Sequence, residues 1–288
     1  MVAPLEAELE AREIDNLVFI LDTGLRTVPL AILHDGEDFI VERYSIGLMP
    51  SLSLTDTRHV DIKDVEVLAM GAAEFPGQNQ TPLPAVPLEL AAITESLWPG
   101  RFVLNKDFTA EKLRQIRKVK PFGILHLATH AEFLPGRPSN SYIQWWDQRL
   151  TFNQLQQQVR FYDPPIEMLV LSACKTAIGD LEAELGFAGM AVQVGVKTAL
   201  GSLWYVSDEG TMGLMTSFYG QLKRAPVKAE ALRRAQVAML RGRVRLEEGQ
   251  LVTPVGEFPL PPALTKVGDR DLSHPYYWSA FTMIGNPW

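Results

Sequence analysis

The 288-residue chain has one cysteine, Cys174, and so closes no disulfide within itself. A reducing compartment is the expected setting. It lacks an excess of positive charge: its net charge is −7. Broad nucleic-acid binding needs basic stripes that displace counterions, so nucleic acid is not an expected partner. No apolar run approaches the ~20 residues that a membrane helix needs, so no membrane partner is expected either. The acidic start, Met1–Glu10, carries no signal-peptide core. No repeat of fixed period and no low-complexity tract is present. A cytoplasmic protein, or a soluble piece of a longer one, fits these absences. What is there is globular: 47% hydrophobic and 21% charged residues, ample for one large or two small cores.

The chain changes character near residue 60. Residues 1–60 read as a β-rich N-terminal subdomain or extension. Apolar runs lie at Leu17–Leu21 and Val28–Leu33. An Asp35-Gly36 turn leads to Phe39–Tyr44, which alternates as a hairpin partner would. Residues 61–288 alternate strand and helix patterns. Strands are predicted at Val65–Met70, Arg101–Leu104, Gly123–Ala128, Met168–Ser172, Lys197–Trp204 and Ala280–Ile284. Helices are predicted at Leu88–Trp98, Ala110–Val119 behind a Thr109 cap, Ser207 or Asp208 to Leu222, and Val227–Arg241. The small-residue run Gly186–Gly195 suggests a further helix, and Arg243–His274 reads as a long proline-bearing loop. Such alternation predicts a mostly parallel sheet covered on both faces.

Two apolar strands end in reactive side chains. Gly123–Ala128 leads to His130, and Met168–Ser172 leads to Cys174. By identity alone Cys174 fits a small core hydrophobe as well as a nucleophile. Its place at a strand end, before the polar run Lys175–Asp180, favours the nucleophile, because open α/β sheets build sites there. A thiol of pKa ~8.5 needs a base or a cation beside it, and a histidine of pKa ~6.5 supplies one. His126 and His130 have i, i+4 spacing, but on a strand they stand ~13 Å apart, too far for one zinc ion. His126 falls inside the apolar run and is read as a core histidine. The run Gly189–Thr198 has the wrong spacing for a phosphate loop. Trp145-Trp146 suits packing or ligand stacking, and Arg114, Arg117, Lys118 and Lys120 suit a solvated helix face. Asp180, and the pair Asp208 and Glu209, suit either helix starts or a pocket for a basic substrate side chain.

Several blocks together resemble CHAT domains: His126–Phe133, Leu169–Thr176, Gly186–Gly189, Ala199–Trp204 and His274–Trp288. The resemblance runs from about Leu17 to Trp288. CHAT domains are similar to caspases and separase, in the caspase–haemoglobinase group. The resemblance implies a three-layer α/β/α sandwich with a mostly parallel central sheet. It also implies a cysteine endopeptidase acting on protein or peptide substrates, with no cofactor and no metal. His130 and Cys174 map onto the dyad, with the oxyanion held by the backbone amides of Ala131 and Cys174. Many relatives have glycine where this chain has Ala131, and an acidic or amide residue where it has Lys175. In this group a backbone carbonyl often orients the histidine; Asn140 and Asn153 are side-chain candidates for that task. Separase-like members cut after basic residues using acidic pockets, so Asp208, Glu209 and Asp180 are the expected substrate-binding residues, with arginine or lysine at the cleavage position. The alternative is a latent or non-catalytic CHAT module that binds a regulatory partner, or one separated from a sensor domain.

Overall fold

The computed structural model describes residues 2–22, 25–26, 28–53, 55–133, 141–159, 161, 163–172, 175–176, 192 and 195–288. Its centre is a sheet of eight strands. In chain order these are β1 (Asn16–Phe19), β2 (Ser45–Leu48), β3 (Val67–Gly71), β4 (Gly100–Leu104), β5 (Ile124–Ala128), β9 (Met168–Ser172), β11 (Thr198–Ser202) and β16 (Phe281–Gly285). Their order across the sheet is β1-β2-β16-β11-β9-β5-β3-β4. Neighbours run parallel except β11 and β16. β3, β5, β9 and β11 are buried at every residue. This explains their unbroken apolar sequences: a parallel strand covered on both faces has no solvent side to alternate toward.

The helices divide between the faces. The first two are α1 (Glu6–Ala11) and α2 (Ile40–Arg43), and α3 (Val86–Ala91) follows β3. α4 (Ala110–Val119) follows β4. The step from β3 to β4 moves outward and the step from β4 to β5 returns, so right-handed crossovers put α3 and α4 on opposite faces. α5 (Phe152–Val159) packs with α4, while α6 (Asp208–Leu222) and α7 (Lys228–Leu240) pack with each other and α6 also packs on α3. The expected α/β/α layering is therefore present. Thr109 caps α4 by accepting from Lys112 N at 3.1 Å, and Ser207 caps α6 by accepting from Gly210 N at 3.0 Å. Fully buried Trp98, Trp145 and Trp278 anchor the packing. Trp145 stacks on Phe108 at 4.5 Å, which settles its role as packing.

Two smaller sheets flank the large one. β6 (Ala131–Phe133), β7 (Tyr142–Gln144), β8 (Arg149–Thr151) and β10 (Lys175–Thr176) form one, in the order β10-β6-β7-β8. The other holds β12 (Arg245–Glu247), β13 (Gln250–Thr253), β14 (Gly256–Pro259) and β15 (Arg270–Asp271), with the short helix α8 (Pro262–Thr265) between the last two. This second sheet replaces the long loop predicted for Arg243–His274. Its β12–β13 turn uses Glu248 and Gly249, both at positive φ, as a tight hairpin requires. Its side chains reach α6 at Gly213 and Gly220, where an added Cβ would meet Val244 and Val255 at under 3 Å. The last short helix, α9 (Pro275–Trp278), leads into β16.

Other segments also differ from the sequence reading. The Asp35 carboxylate holds Glu37 N and Asp38 N in a turn, as expected, but only His34 and Phe39 then form a β-bridge. Glu42 accepts from Phe39 N and starts the helical turn α2 where a strand was predicted. Val28–Leu33 holds a single 3-10 turn at Leu30–Ile32 rather than a strand. Arg117 is not on a solvated face: it is 6% exposed and donates to the main-chain oxygens of Val159 and Pro164.

Candidate active site

His130 lies just beyond the carboxyl end of β5, between β5 and β6. Its Nε2 is 2.6 Å from the main-chain oxygen of Thr81. A carbonyl only accepts, so Nε2 carries the hydrogen and Nδ1 is left as the basic nitrogen. The ring is half-buried and packs on Phe75, with centroids 4.8 Å apart. Burial pushes the imidazole below its usual 6.5, with the Thr81 bond opposing in part. His130 is accordingly neutral near pH 7, the state a general base requires.

The chain around Cys174 is tied to the chain around His130 on both sides. Ala128 pairs with Ser172 at the ends of β5 and β9. Thr129 N also donates to Ser172 O at 3.2 Å. Beyond the two candidate residues, Lys175 pairs with Glu132 and Thr176 with Phe133, in parallel. Each candidate is thus bracketed by paired neighbours. Cys174 and Asp180 themselves lie outside the described residues, as do Asn140 and most of Gly186–Gly195. Asn153 is exposed at the start of α5, and the histidine's orienting contact is the Thr81 carbonyl.

Ala131 opens β6. Gln144 N donates to His130 O at 2.8 Å, and Ala131 sits opposite Ile143 one step along. Antiparallel pairs alternate, so the Ala131 N–H turns away from β7 and toward the β10 side of β6. That is the side on which the chain arrives from Cys174.

Asp208 is the first residue of α6, after the Ser207 cap. Its Oδ2 accepts from Ala85 N at 2.7 Å. Among the described residues no cation pairs with it. Burial, aided by the charges of Glu89 and Glu209 and opposed by the Ala85 bond, pushes its carboxyl up to about 7. A cation arriving beside it would restore the charged form. Glu209 is committed elsewhere: its Oε1 pairs with Arg270 Nη1 at 3.0 Å. Tyr205 and Tyr276 leave large aromatic surfaces exposed on the Asp208 side, and Tyr276 Oη donates to Tyr205 O at 2.9 Å. Burial and the Asp208 charge raise the Tyr205 hydroxyl.

Beneath these groups lies a buried polar set that sequence reading missed in part. Glu89 of α3, His126 of β5, Ser172 of β9 and Tyr219 of α6 are all at most 1% exposed. His126 Nε2 lies 2.9 Å from Glu89 Oε1 and its Nδ1 lies 3.2 Å from Tyr219 Oη. Ser172 Oγ donates to the same Glu89 oxygen. Burial holds the Tyr219 phenol protonated, far above its usual range, so it donates to His126 Nδ1 and leaves Nε2–H to donate to Glu89. His126 is a core histidine as predicted, but a hydrogen-bonded one. The sequence did carry a signal for Glu89: with Val86, Leu90 and Ile93 it occupies the buried face of its helical segment.

The chain is similar in structure to the Arg specific cysteine proteinase gingipain R (RGPB), with 10% identity and a TM-score of 0.52, over 98% of this chain and 65% of that one. It is equally similar to a chain in the complex of Porphyromonas gingivalis RgpB pro- and mature domains, with 10% identity and a TM-score of 0.52, over 98% of this chain and 66% of that one. It therefore spans just under two thirds of the length of those structures. At that identity the likeness concerns the fold, which is that of the caspase-like cysteine peptidases. No curated protein matches the sequence. The CHAT domain profile matches residues 1–286, essentially the whole chain, and the protein belongs to the CHAT domain family.

Proposed function

We propose that the protein is a cysteine endopeptidase with Cys174 as nucleophile and His130 as base, cutting after arginine or lysine. The observation that carries this reading is the paired backbone on both sides of the two residues, Ala128 with Ser172 and Glu132 with Lys175. His130 Nδ1 takes the thiol proton of Cys174, and the sulfur attacks the scissile carbonyl carbon. The oxyanion is met by the amides of Ala131 and Cys174. His130 then passes the proton to the amide nitrogen as the C–N bond breaks, leaving a thioester. Water attacks the thioester and gives a proton to His130; the C–S bond breaks to release the acid and the thiolate. The Thr81 carbonyl keeps the imidazole in the required tautomer throughout.

Asp208 is the residue proposed to receive the basic side chain. Glu209 backs it as a neighbouring charge while paired with Arg270. A guanidinium gains most from a carboxylate that is partly sheltered from water and not already neutralised. A fluorogenic peptide panel varying only the residue before the cut tests the reading. Hydrolysis after arginine or lysine is expected. Cleavage confined to aspartate or apolar peptides overturns the Asp208 assignment, and cleavage of none by any preparation of the full chain overturns the peptidase reading.

A further inference from the structure

One short stretch of chain, Thr81–Glu89, contacts His130, Asp208 and the buried polar set beneath them. The Thr81 carbonyl holds His130, the Ala85 amide holds Asp208, and the Glu89 carboxyl holds both His126 and Ser172. Thr81 and Ala85 are four residues apart, so their two contacts lie within ~14 Å of each other. The Glu89 contact is of a different kind from the other two. A single oxygen, Oε1, accepts from side chains on two adjacent strands, β5 and β9. Four residues beyond His126 comes His130, and two beyond Ser172 comes Cys174.

From this geometry we infer that Glu89 is a positioning residue for the dyad, clamping the middle of β5 at His126 to the carboxyl end of β9 at Ser172 so that His130 and Cys174 keep their mutual approach. The inference rests on the peptidase reading above. It goes beyond it by assigning a function to a fully buried group that touches neither substrate nor reacting atoms. Ordinary core packing does not call for this arrangement. The β5–β9 ladder already pairs from Ile124 with Met168 to Ala128 with Ser172. A carboxyl at a position otherwise suited to leucine stabilises the core poorly unless its donors are all in place. Here they are: Tyr219 donates to His126, and His126 and Ser172 donate to Glu89, each hydrogen used once. The clamp therefore adds a side-chain tie across β5 and β9 to the main-chain pairing that leads toward the site.

The test reads Cys174 directly. Alkylation of the full chain by iodoacetamide is followed against pH for wild type, His130→Ala, Glu89→Ala, Glu89→Gln and Ser172→Ala. In wild type, a histidine-activated thiolate keeps alkylation fast near pH 6, about tenfold above His130→Ala. Glu89→Ala is expected to lose that advantage and titrate as an ordinary thiol. Glu89→Gln, which retains an accepting oxygen, is expected to recover at least half of it. On arginine peptides, Glu89→Ala should lower kcat about tenfold with KM little changed. If wild type alkylates near pH 6 no faster than His130→Ala, the dyad reading fails and this inference with it. If wild type shows the advantage and Glu89→Ala keeps it, the inference alone is overturned. Should Glu89→Ala fail to fold, Ser172→Ala decides: it removes one of the two donors, and a profile identical to wild type's overturns the clamp.

Discussion

The two ends of the central sheet each bury a carboxyl group among neighbouring strands, and they use it differently. At the amino ends of β9 and β11, Glu167 pairs with Lys197 at 2.9 Å. Close by, Lys228 Nζ donates to the main-chain oxygen of Trp288. Asn286 donates to the main chain of Asp56 and Arg58, Thr198 Oγ1 donates to Asn286 O, and Trp288 Nε1 donates to Thr57 O. Every one of these contacts closes on the chain's own backbone or side chains. Toward the carboxyl ends, the Glu89 set ties β5 to β9, but His130 and Asp208 beyond it are only half-buried. The amino end is a fastening, and the carboxyl end is a platform. Loops leave a parallel sheet at the carboxyl ends of its strands, so a platform there serves a site and a fastening at the other end does not compete with it.

Substitutions at the platform should cost activity, and those at the fastening should change stability while leaving activity unaltered. The largest expected effect is at the dyad. Cys174→Ala should abolish hydrolysis, and His130→Ala should lower kcat by about 10²–10⁴-fold with an unchanged melting transition. Measured on arginine peptides, the acid limb of kcat should fall below 6.5, because burial depresses the His130 imidazole.

Next comes Asp208→Asn, which keeps an acceptor for Ala85 N. Loss of the charge-assisted pair should cut kcat/KM on arginine peptides about 10²-fold, with little change on neutral ones. In wild type, KM for arginine peptides should fall as pH rises through about 7, the value to which the carboxyl is raised. The same shift has a stability consequence of definite sign. Between the usual 3.8 and about 7 the folded chain binds more protons at Asp208 than the unfolded chain, so stability falls as pH rises across that window. Asp208→Asn should remove the fall and be more stable than wild type at pH 8, by up to ~4 kcal/mol. Urea unfolding at pH 4 and pH 8 measures it.

At the fastening, Lys228 behaves oppositely. Burial lowers its ammonium from 10.5 to about 8. Between those values the unfolded chain binds more protons, so stability should rise with pH from about 8 to 10.5, by up to ~3 kcal/mol. Lys228→Met should lack that rise while hydrolysing arginine peptides at the wild-type rate; a tenfold loss of kcat would break the division between the two ends. The smallest effect is expected for Trp288→Ala, about 1 kcal/mol for the lost bond to Thr57, with unaltered kinetics.

The sequence is readable where one force dominates. The buried strands β5 and β9 show as apolar runs, and α4 shows through its Thr109 cap and the periodicity behind it. The short strands of β12–β15 do not show, because β12 buries one residue, β13 two and β14 and β15 none, too few for a period-2 apolar pattern to stand out among the charges and prolines. The Phe39–Tyr44 alternation misleads because Glu42 caps a helical turn that buries Ile40 and Val41. Of the site, His130 and Asp208 are legible as strand-end and helix-start residues. The Thr81 carbonyl and the Ala85 and Ala131 amides are not, since main-chain groups are the same in every residue and only the fold selects them. Glu89 is intermediate: its place on an apolar helix face marks it as unusual, but its partners on two strands are not adjacent to it in sequence.

The most direct test of the central claim is covalent trapping. A peptidyl-arginine ketone carrying a leaving group is incubated with the full chain, and the adduct is mapped by mass spectrometry. The account predicts one adduct, on Cys174, formed at least about 10²-fold more slowly in His130→Ala. An adduct on another residue, or equal rates in wild type and His130→Ala, would contradict it.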